Sequence, residues 1–378
     1  MRWHDLAVIG GGLAGVATAY FAARAGADVV LLERRDLNLG ASGSNAGSIH
    51  AQIPFDPYRE MGEGWARHFS ETIPLFRASI ARWRTLEAEL GGSLGVAIKG
   101  GVMAAGTEAD LRALERKVEI ERAAGLPVEM WDRETLRARA PFLSDTLLGA
   151  AWCAEEGKAD PFRAVPLIAR RAVEAGLDVR RNAPVAAVEQ VAGGWRVAGP
   201  WGAVHARKVV NAAGADAAHV AALAGVRLPI EGHLIQVAVT EKRAEELPFL
   251  LYFTGARLTL KQAAEGGYLI GGGWPARAGP LPMVDQTSMI RNLAVAQAML
   301  PSLAGAQVVR AWAATVNGTA DWRPILGEVP GRPGFFLNLF PWMGFTAAPA
   351  VSEAIAALAL GQTPQVDLSP FAWPGEGA

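Results

Sequence analysis

The chain has little of what a disulfide-stapled, metal-binding or nucleic-acid-binding protein needs. Its 378 residues include one cysteine, Cys153, which excludes an internal disulfide, a Cys-based zinc site and an iron–sulfur cluster. Charged residues make up 19% of the chain, and 36 Lys and Arg against 37 Asp and Glu leave a net charge of −1. That balance disfavours nucleic acid as a partner. The composition predicts a cytoplasmic protein without a metal site, whose redox chemistry would need an organic cofactor.

Long apolar runs without interruption are also scarce. Residues 6–23 carry no charge, but four glycines interrupt them and Asp5 precedes them. A secretory signal has positive charge at that place, and a membrane helix is rarely broken by so many glycines. We therefore expect no membrane span. Because 51% of the residues are hydrophobic, the chain can bury one large core or two ordinary ones.

The first 33 residues have the pattern of a strand, a glycine-rich turn, a helix and a second strand. Residues 6–9 and 29–32 are short apolar runs typical of buried parallel strands, and residues 16–25 have the character of a helix. Between the first strand and the helix, residues 10–15 read G-G-G-L-A-G, which fits G-x-G-x-x-G. The order of these elements predicts a βαβ unit.

Such a unit binds an adenine dinucleotide through parts with separate roles. Gly10 permits a tight turn, Gly12 lets a pyrophosphate approach the backbone, and Gly15 lets the helix pack closely. The helix N-terminus offers free N–H groups to the phosphate, and Glu33 can accept hydrogen bonds from a ribose. The alternative is a turn that only packs, and the fingerprint does not choose between NAD and FAD. The residues predicted to bind the nucleotide are Gly10, Gly12, Leu13, Ala14, Gly15, Glu33 and Arg34.

Four blocks along the chain favour a flavin. Residues 40–50, G-A-S-G-S-N-A-G-S-I-H, are small and polar, suited to wrap a polar ring system, and here the sequence resembles the FAD-dependent D-amino-acid oxidase family, which includes glycine and sarcosine oxidases. Residues 209–214 resemble the family's second strand-and-glycine contact under the flavin. Residues 321–327 are similar to its D-G-x-P-x-I-G stretch, and residues 344–349 open a C-terminal helix that runs to about residue 360. The resemblance implies FAD as the cofactor.

The resemblance also implies the fold, of mixed α/β and α+β class. A Rossmann-like FAD-binding domain would comprise residues 1–80, 141–225 and 311–378. A discontinuous substrate domain, built on a mostly antiparallel sheet, would comprise residues 81–140 and 226–310. The further residues expected to contact FAD are Ser42, Asn45, Ala46, Gly47, Ser48, Val185, Ala213, Gly214, Met343, Gly344, Phe345 and Thr346.

Local patterns between the blocks agree with this division. Asp160 and Pro161 provide the N-cap and first residue of a helix that runs to about residue 175. Residues 182–210 alternate and turn at two glycines, which predicts a short antiparallel meander. Residues 230–240 and 252–272 are expected to form strands of the larger sheet.

Within the family, the chain resembles β-type subunits of opine oxidases, hydrogen cyanide synthase and heteromeric proline or hydroxyproline dehydrogenases. Residues 44–50, 257–262 and 271–276 carry this likeness. It implies oxidation of the C–N bond of a secondary amine, an opine-like imino acid or a small amino acid, by hydride transfer to flavin N5, within a hetero-oligomer whose partner subunit carries further redox centres. The alternatives are a self-sufficient glycine- or sarcosine-type oxidase that produces H2O2, a non-catalytic flavoprotein subunit, and an NAD-dependent dehydrogenase.

The chain departs from the family's amino-acid oxidases where they hold a substrate carboxylate. Those enzymes commonly place an arginine shortly before the D-G-x-P motif as a bidentate clamp. Val316 occupies that place here, and the flavin-proximal loop offers Trp342 and Met343 rather than a cation. Arg257 or Lys261 could serve as the anchor, with exposure at a strand edge as the alternative.

Two histidines and two tryptophans complete the candidate catalytic set. His50 and His233 could hydrogen-bond the substrate or carry a proton near neutral pH, and Trp274 could form an aromatic wall. A structural role is the alternative for each. The candidate catalytic residues are His50, His233, Trp274 and Trp342.

Overall fold

Two large sheets organise the chain. Within residues 2–373 and 375, which the computed structural model describes, the strands form two eight-stranded sheets and one two-stranded ribbon. The strands are β1 (Trp3–Ile9), β2 (Val29–Leu32), β3 (Ser48–Ile49), β4 (Gly101–Ala105), β5 (Val128–Asp132), β6 (Gly149–Cys153), β7 (Gly157–Lys158), β8 (Asp178–Arg180), β9 (Ala187–Val191), β10 (Gly194–Gly199), β11 (Gly202–Asn211), β12 (Glu231–Lys242), β13 (Leu250–Phe253), β14 (Thr259–Gln262), β15 (Gly267–Gly271), β16 (Val308–Gly318), β17 (Ile325–Glu328) and β18 (Phe335–Leu339).

The helices pack on these sheets. They are α1 (Leu13–Arg24), α2 (Ala41–Ser44), α3 (Phe55–Phe69), α4 (Ile73–Leu90), α5 (Glu108–Ala123), α6 (Arg133–Arg139), α7 (Pro161–Glu174), α8 (Ala217–Leu223), α9 (Gln286–Met299) and α10 (Gly344–Ala359). The Asp160 side chain accepts a hydrogen bond from the Phe162 N–H at the start of α7. The predicted N-cap and N-terminal proline of this helix are therefore confirmed.

The first sheet is parallel at its centre, in the order β17-β18-β11-β1-β2-β8, with β9 and β10 extending from β11 as an antiparallel meander. Strand β1 is buried on both faces. Leu6 and Val8 join a core that includes α1, α4, α7 and α10, whereas Ala7 and Ile9 join a second core that includes the meander and α8. This double burial explains why the strand reads as a continuous apolar run.

The second sheet has the order β16-β12-β15-β14-β13-β4-β6-β5. Its neighbours pair antiparallel except β13 and β4, which are parallel. A third core packs its outer face against α6 and α9. The predicted mixture of a Rossmann-like unit with a mostly antiparallel sheet is confirmed.

The sheets divide the chain at different residues from those predicted. Strand β6 and most of β16 were expected with the nucleotide-binding unit, but β6 pairs with β4 and β5, and β16 pairs with β12. Helix α4 crosses the predicted boundary at residues 80 and 81 and packs on α10. Those placements depend on long-range backbone pairing and packing, which local periodicity does not encode. The assignment of the other segments to two domains stays a prediction.

One ion pair is completely buried beside the core. Lys117 and Glu121, one turn apart on α5, are both inaccessible to solvent and their side chains are hydrogen-bonded. The same carboxylate accepts a hydrogen bond from the Ile53 N–H at 2.6 Å, and burial raises the pKa of Glu121. The pair therefore joins α5 to the loop that precedes α3.

We expect Lys117→Met to lower the free energy of unfolding by about 3–5 kcal/mol, because it leaves a buried carboxyl without its cation. Lys99→Met is the matched control, since Lys99 pairs with Glu245 on the surface with both side chains more than half exposed, and it should cost about 1 kcal/mol or less. Urea denaturation of both variants measures the difference. Equal losses of stability would contradict the importance of the buried pair.

Candidate functional site

The turns at one edge of the first sheet lie against the second sheet. Strands β1, β2 and β11 are parallel, so their carboxyl ends and the turns that follow share one edge, where ligands of open α/β sheets bind. Helix α2 and the turn at Gly214–Asp216 lie against β16, and the Trp312 indole donates to the Ser44 carbonyl at 2.6 Å. We call the region where these turns face β12 and β16 the crevice. Residues 311–317 of β16 are half-buried throughout.

Three fingerprint glycines meet different surroundings. A Cβ at Gly10, where φ is 115°, would lie 2.5 Å from the Ala212 carbonyl oxygen, and one at Gly15 would lie 2.0 Å from the Gly10 carbonyl oxygen. Packing of the chain on itself therefore requires these two glycines. Among the described residues, the atoms within 4 Å of an added Cβ at Gly12 belong to Ser42, with the hydroxyl oxygen at 3.0 Å. Apart from this side chain, the Gly12 position is not packed against the described chain, and it is the position predicted for a pyrophosphate.

Two side chains accept hydrogen bonds from the backbone at the start of α1: the Glu33 carboxylate after β2 and the Ser42 hydroxyl of α2. Glu33 accepts hydrogen bonds from the Gly11 N–H at 2.7 Å and the Arg35 N–H at 2.8 Å. Ser42 accepts one from the Leu13 N–H at 2.9 Å. Each Glu33 oxygen keeps capacity for a second hydrogen bond, as a ribose hydroxyl would require. The first turn of α1 has no acidic residue of its own, and the Glu33 carboxylate at the Gly11 N–H places a negative charge beside its positive dipole end.

Two further segments lie on either side of the turn that is predicted to bind the nucleotide. Arg34 forms an ion pair with Asp216 at 2.7 Å, which ties the end of β2 to the turn that contains Ala213 and Gly214. On the other side, Ala183 donates to the Glu33 carbonyl at 2.8 Å, which places Val185 two residues from that contact. The predicted nucleotide-binding segments therefore lie together.

The loop after α2 runs from the fingerprint to the start of α10. Asn45 donates to the Ser42 carbonyl at 2.5 Å and accepts from the Gly47 N–H, which fixes the turn that includes Ala46. At the far end, the His50 N–H donates to the Thr346 hydroxyl at 2.8 Å. The loop therefore connects the two helix N-termini at the crevice.

Helix α10 presents an uncapped N-terminus there. Its N-cap residue, Met343, makes no side-chain capping hydrogen bond and its first turn has no acidic residue, which leaves a positive dipole end available to an acceptor. Met343 is buried in the core, so its backbone is the part that a ligand could contact. Phe345 stacks on Trp83 with ring centroids 5.2 Å apart, and the Trp83 indole donates to the Thr346 carbonyl at 3.1 Å. These contacts fix the direction of the helix.

The structure decides one alternative that the sequence left open for the cations. Lys261 is 2% exposed and donates to the Ser48 hydroxyl at 3.0 Å, which excludes exposure at a strand edge for this residue. Residues of the loop after α2 cover that part of β14. Burial, and after it the charge of Lys158, holds the pKa of Lys261 well below its usual value. Arg257, in contrast, is 46% exposed and pairs with Glu60 at 3.7 Å.

Aromatic rings meet at one end of the crevice. Trp342 packs on His233 and on Trp322, with ring centroids 4.6 Å apart in both cases. Both tryptophans have positive φ, 57° and 66°, which is rare for bulky residues and occurs where surrounding structure imposes it. The buried Trp342 indole nitrogen has no hydrogen-bond partner among the residues described.

Val316 lies on the crevice side of β16. It pairs with His233 of β12, and it shares its face of the strand with Trp312, four residues earlier, whose indole reaches Ser44 across the crevice. Alternation along a strand puts both side chains on that face. Val316 therefore places an uncharged side chain on this face of β16.

His50 is held by a buried polar network. Its Nδ1 lies 2.7 Å from the Tyr252 hydroxyl, and the next two N–H groups, of Ala51 and Gln52, donate to Glu156 at 2.7 and 2.9 Å. Burial, with a contribution from the nearby Lys261 charge, lowers the pKa of His50 to about 3. This favours hydrogen bonding over proton transfer near neutral pH as the role of His50.

Trp274 stands apart from the other candidates. Its indole donates to the Arg257 carbonyl at 2.6 Å, and in residues 2–373 and 375 it makes no ring contact with His50, His233 or Trp342. Sequence reasoning missed Tyr252, Trp312 and Glu156. Trp312 belongs to a stretch already aligned with the family, so its place four residues before Val316 was an available signal, whereas the contacts of the other two depend on long-range packing.

Comparisons with known proteins cover nearly the whole chain. The family model described as FAD dependent oxidoreductase matches residues 5–358. The B-type subunit of opine oxidase from Agrobacterium tumefaciens (strain Ach5) is 28% identical over 344 residues, 88% of this chain and 87% of that one. The beta subunit of sarcosine oxidase from Rhizobium meliloti (strain 1021) is 26% identical over 384 residues, 97% of this chain and 87% of that one. The crystal structure of glycine oxidase from Geobacillus kaustophilus has a TM-score of 0.86 with 98% coverage of both chains, and at 24% identity this likeness shows the fold.

Among the helices in the described part of the chain, none combines the length and the apolar character that crossing a bilayer requires.

We expect Gly12→Val to abolish FAD retention, because its methyl groups would fill the space beside Ser42 at the start of α1. Gly64→Val is the matched control, since Gly64 lies in α3 with no atom within 4 Å of an added Cβ, and it should retain FAD. The ratio of flavin to protein in purified samples measures the effect. Wild-type flavin should pass into the supernatant on denaturation, and equal flavin content in Gly12→Val and wild type would contradict the nucleotide assignment.

The low pKa of His50 makes stability depend on pH. The unfolded chain binds a proton below about pH 6.5, which the buried ring refuses until about pH 3. The free energy of unfolding should therefore fall as pH decreases through that interval, and His50→Gln should reduce this slope. His68→Gln, at a half-exposed position, should retain it. Urea denaturation across the interval measures the slopes, and identical slopes for wild type and His50→Gln would contradict the assigned pKa.

Proposed function

The chain belongs to the family of FAD-dependent oxidoreductases, and on that premise we propose that it oxidises the C–N bond of an amine or amino acid as the β-type subunit of a cytoplasmic hetero-oligomer. The predicted family and cofactor, FAD, are thereby confirmed. The substrate class includes secondary amines, opine-like imino acids and small amino acids. The partner subunit would carry the redox centres through which electrons leave.

One observation carries the proposal. Two helix N-termini without acidic residues in their first turns, those of α1 and α10, border one crevice, and Gly12, where an added Cβ would meet the Ser42 side chain, lies beside the first of them. Pyrophosphate binding at α1 and an electron-rich ring edge near α10 both suit this arrangement. When bound, FAD supplies the acceptor for the hydride that leaves the carbon next to nitrogen.

The chain's own residues then bind and orient the two reactants. Gly12, Ser42 and Glu33 would hold the nucleotide, and the N–H groups at the start of α10 would stabilise negative charge at the ring. His233, Val316 and the aromatic rings beside them would face the substrate from the opposite wall. The amine loses two electrons and two protons in total, and water hydrolyses the resulting imine.

The partner is supported by the names of relatives and by composition. Two relatives that match most of this chain are named as subunits. This chain has one cysteine, Cys153, which is buried, so a cluster ligated by cysteines would have to lie on another chain. The charged fraction of 19%, against about 25% in typical domains, fits a surface that is partly covered.

A self-sufficient oxidase is the second candidate. The fold match covers 98% of the glycine oxidase chain, so no additional domain is needed to account for that architecture. Here electrons would pass from the reduced cofactor to O2 and yield H2O2. The two candidates differ in how fast the isolated chain is reoxidised.

We expect the isolated chain to be reduced by its amine substrate under anaerobic conditions and to be reoxidised slowly by O2, because the physiological acceptor lies on the partner. An artificial dye acceptor should restore turnover. Visible absorbance of the flavin follows reduction, and peroxide assays follow the reaction with O2. Rapid peroxide formation by a monomer would favour the self-sufficient oxidase, and an unbleached flavin with every amine would favour a non-catalytic subunit.

A further inference from the structure

The wall opposite the nucleotide turns has no permanent charge over its central length. In the pairing of β12 with β16, His233 lies opposite Val316, Ile235 opposite Ala314 and Val237 opposite Trp312. The contact of Trp312 with Ser44 identifies this face as the one that borders the crevice. On the opposite face, the Gln236 amide contacts Asp285 at the start of α9. Among these paired residues of β12 and β16, His233 has the titratable side chain.

Three cations near this wall are occupied or distant from its centre. Arg310 shares the crevice face of β16 at its exposed end, where its guanidinium lies over the Trp312 ring, 5.8 Å from the centroid, and its backbone is six residues, roughly 20 Å along the strand, from Val316. Lys261 is fully buried and already donates to a serine hydroxyl. Arg257 is drawn toward the surface by Glu60. A carboxylate at the centre of the wall would therefore meet none of these charges at contact distance.

The energetics favour a neutral acceptor over an anion. A carboxylate moved from water to a buried site without a cation loses several kcal/mol of solvation. The Trp342 indole N–H, whose ring contacts His233 at 4.6 Å between centroids, is buried without a partner. Such an unsatisfied donor costs about 1–3 kcal/mol. One carbonyl oxygen of a ligand could recover that energy without bringing a charge.

We propose that the site takes amines whose neighbouring group is an uncharged hydrogen-bond acceptor, such as an amide or ester carbonyl, rather than free α-amino carboxylates. This inference rests on the proposed amine oxidation and narrows its substrate class. The specificity depends on the uncharged Val316 and on the free donor of Trp342.

Binding of a redox-inert pair tests the charge preference without turnover. Benzamide and benzoate have the same ring and differ in the charge of the acceptor group. Titration of the FAD-loaded protein, followed by the flavin spectrum and by tryptophan fluorescence, should give tighter binding of benzamide by about tenfold or more, which corresponds to about 1.4 kcal/mol. Tighter binding of benzoate to the wild-type protein overturns the proposal.

Variants at the wall identify the residues responsible. Val316→Arg should shift the benzamide-to-benzoate affinity ratio toward benzoate by about tenfold or more, because it supplies a bidentate cation. Val316→Met, uncharged and of comparable length, should leave the ratio near that of wild type. Trp342→Phe should weaken benzamide binding by several fold through loss of the donor. An unchanged ratio in Val316→Arg overturns the placement of this residue.

Anaerobic reduction separates this inference from the proposed function. Prolinamide and proline, and glycinamide and glycine, are compared by flavin bleaching in wild type, Val316→Arg and Val316→Met. Because the same compounds are used with every protein, differences in amine basicity cancel in the comparison. A shift of the amide-to-acid rate ratio toward acids in Val316→Arg alone supports the inference.

The remaining outcomes are distinct. Bleaching by amino acids in preference to amides in every variant overturns the inference and leaves amine oxidation standing. No bleaching by any of the four compounds, together with tight benzamide binding, counts against the proposed chemistry while the preference of the wall stands. Benzoate binding that strengthens at acid pH and is lost in His233→Gln would identify His233 as a carboxylate anchor and overturn the inference.

Discussion

The close approach of α1 to the ends of β1 and β11 is the constraint on which the site depends. Side chains at Gly10 and Gly15 would collide with backbone oxygens at 2.5 and 2.0 Å, so the helix can begin there only because these residues lack a Cβ. That start directs the amide groups of α1 into the crevice. Ser42 and Glu33 are then within hydrogen-bond reach of the same turn. The geometry of this turn thus follows from two close packing contacts.

The sequence predicted those parts of the fold whose determinants are local. Strands at residues 6–9 and 29–32, the glycine turn and the Asp160 cap have local patterns, and each occurs where it was expected. The sequence predicted that the second sheet is mostly antiparallel, but it did not predict that β6 and β16 belong to this sheet. Pairing with distant strands places these two strands. The burial of Lys261 was missed for a related reason. Its strand, β14, is short and has an ambiguous sequence pattern. The loop that covers Lys261 lies more than 200 residues earlier in the chain.

The two sides of the candidate site differ in how far the sequence could predict them. The nucleotide side includes the glycine turn of residues 10–15 and Glu33, whose order and spacing indicate a dinucleotide site. The opposite wall has an uncharged position at Val316 and a group of stacked rings around Trp342, and its character emerged only when the pairing of β12 and β16 placed these residues together. Nucleotide binding is therefore the more predictable half, because one short segment encodes most of it.

The order of the strands along the chain limits how the molecule can be divided into parts. Along the described chain, strands alternate between the two large sheets: β1 and β2 in the first, β4 to β6 in the second, β8 to β11 in the first, β12 to β16 in the second, and β17 and β18 in the first. The chain thus crosses between the sheets four times. Each sheet therefore depends on strands from separated parts of the chain. Neither half can be excised as one continuous piece.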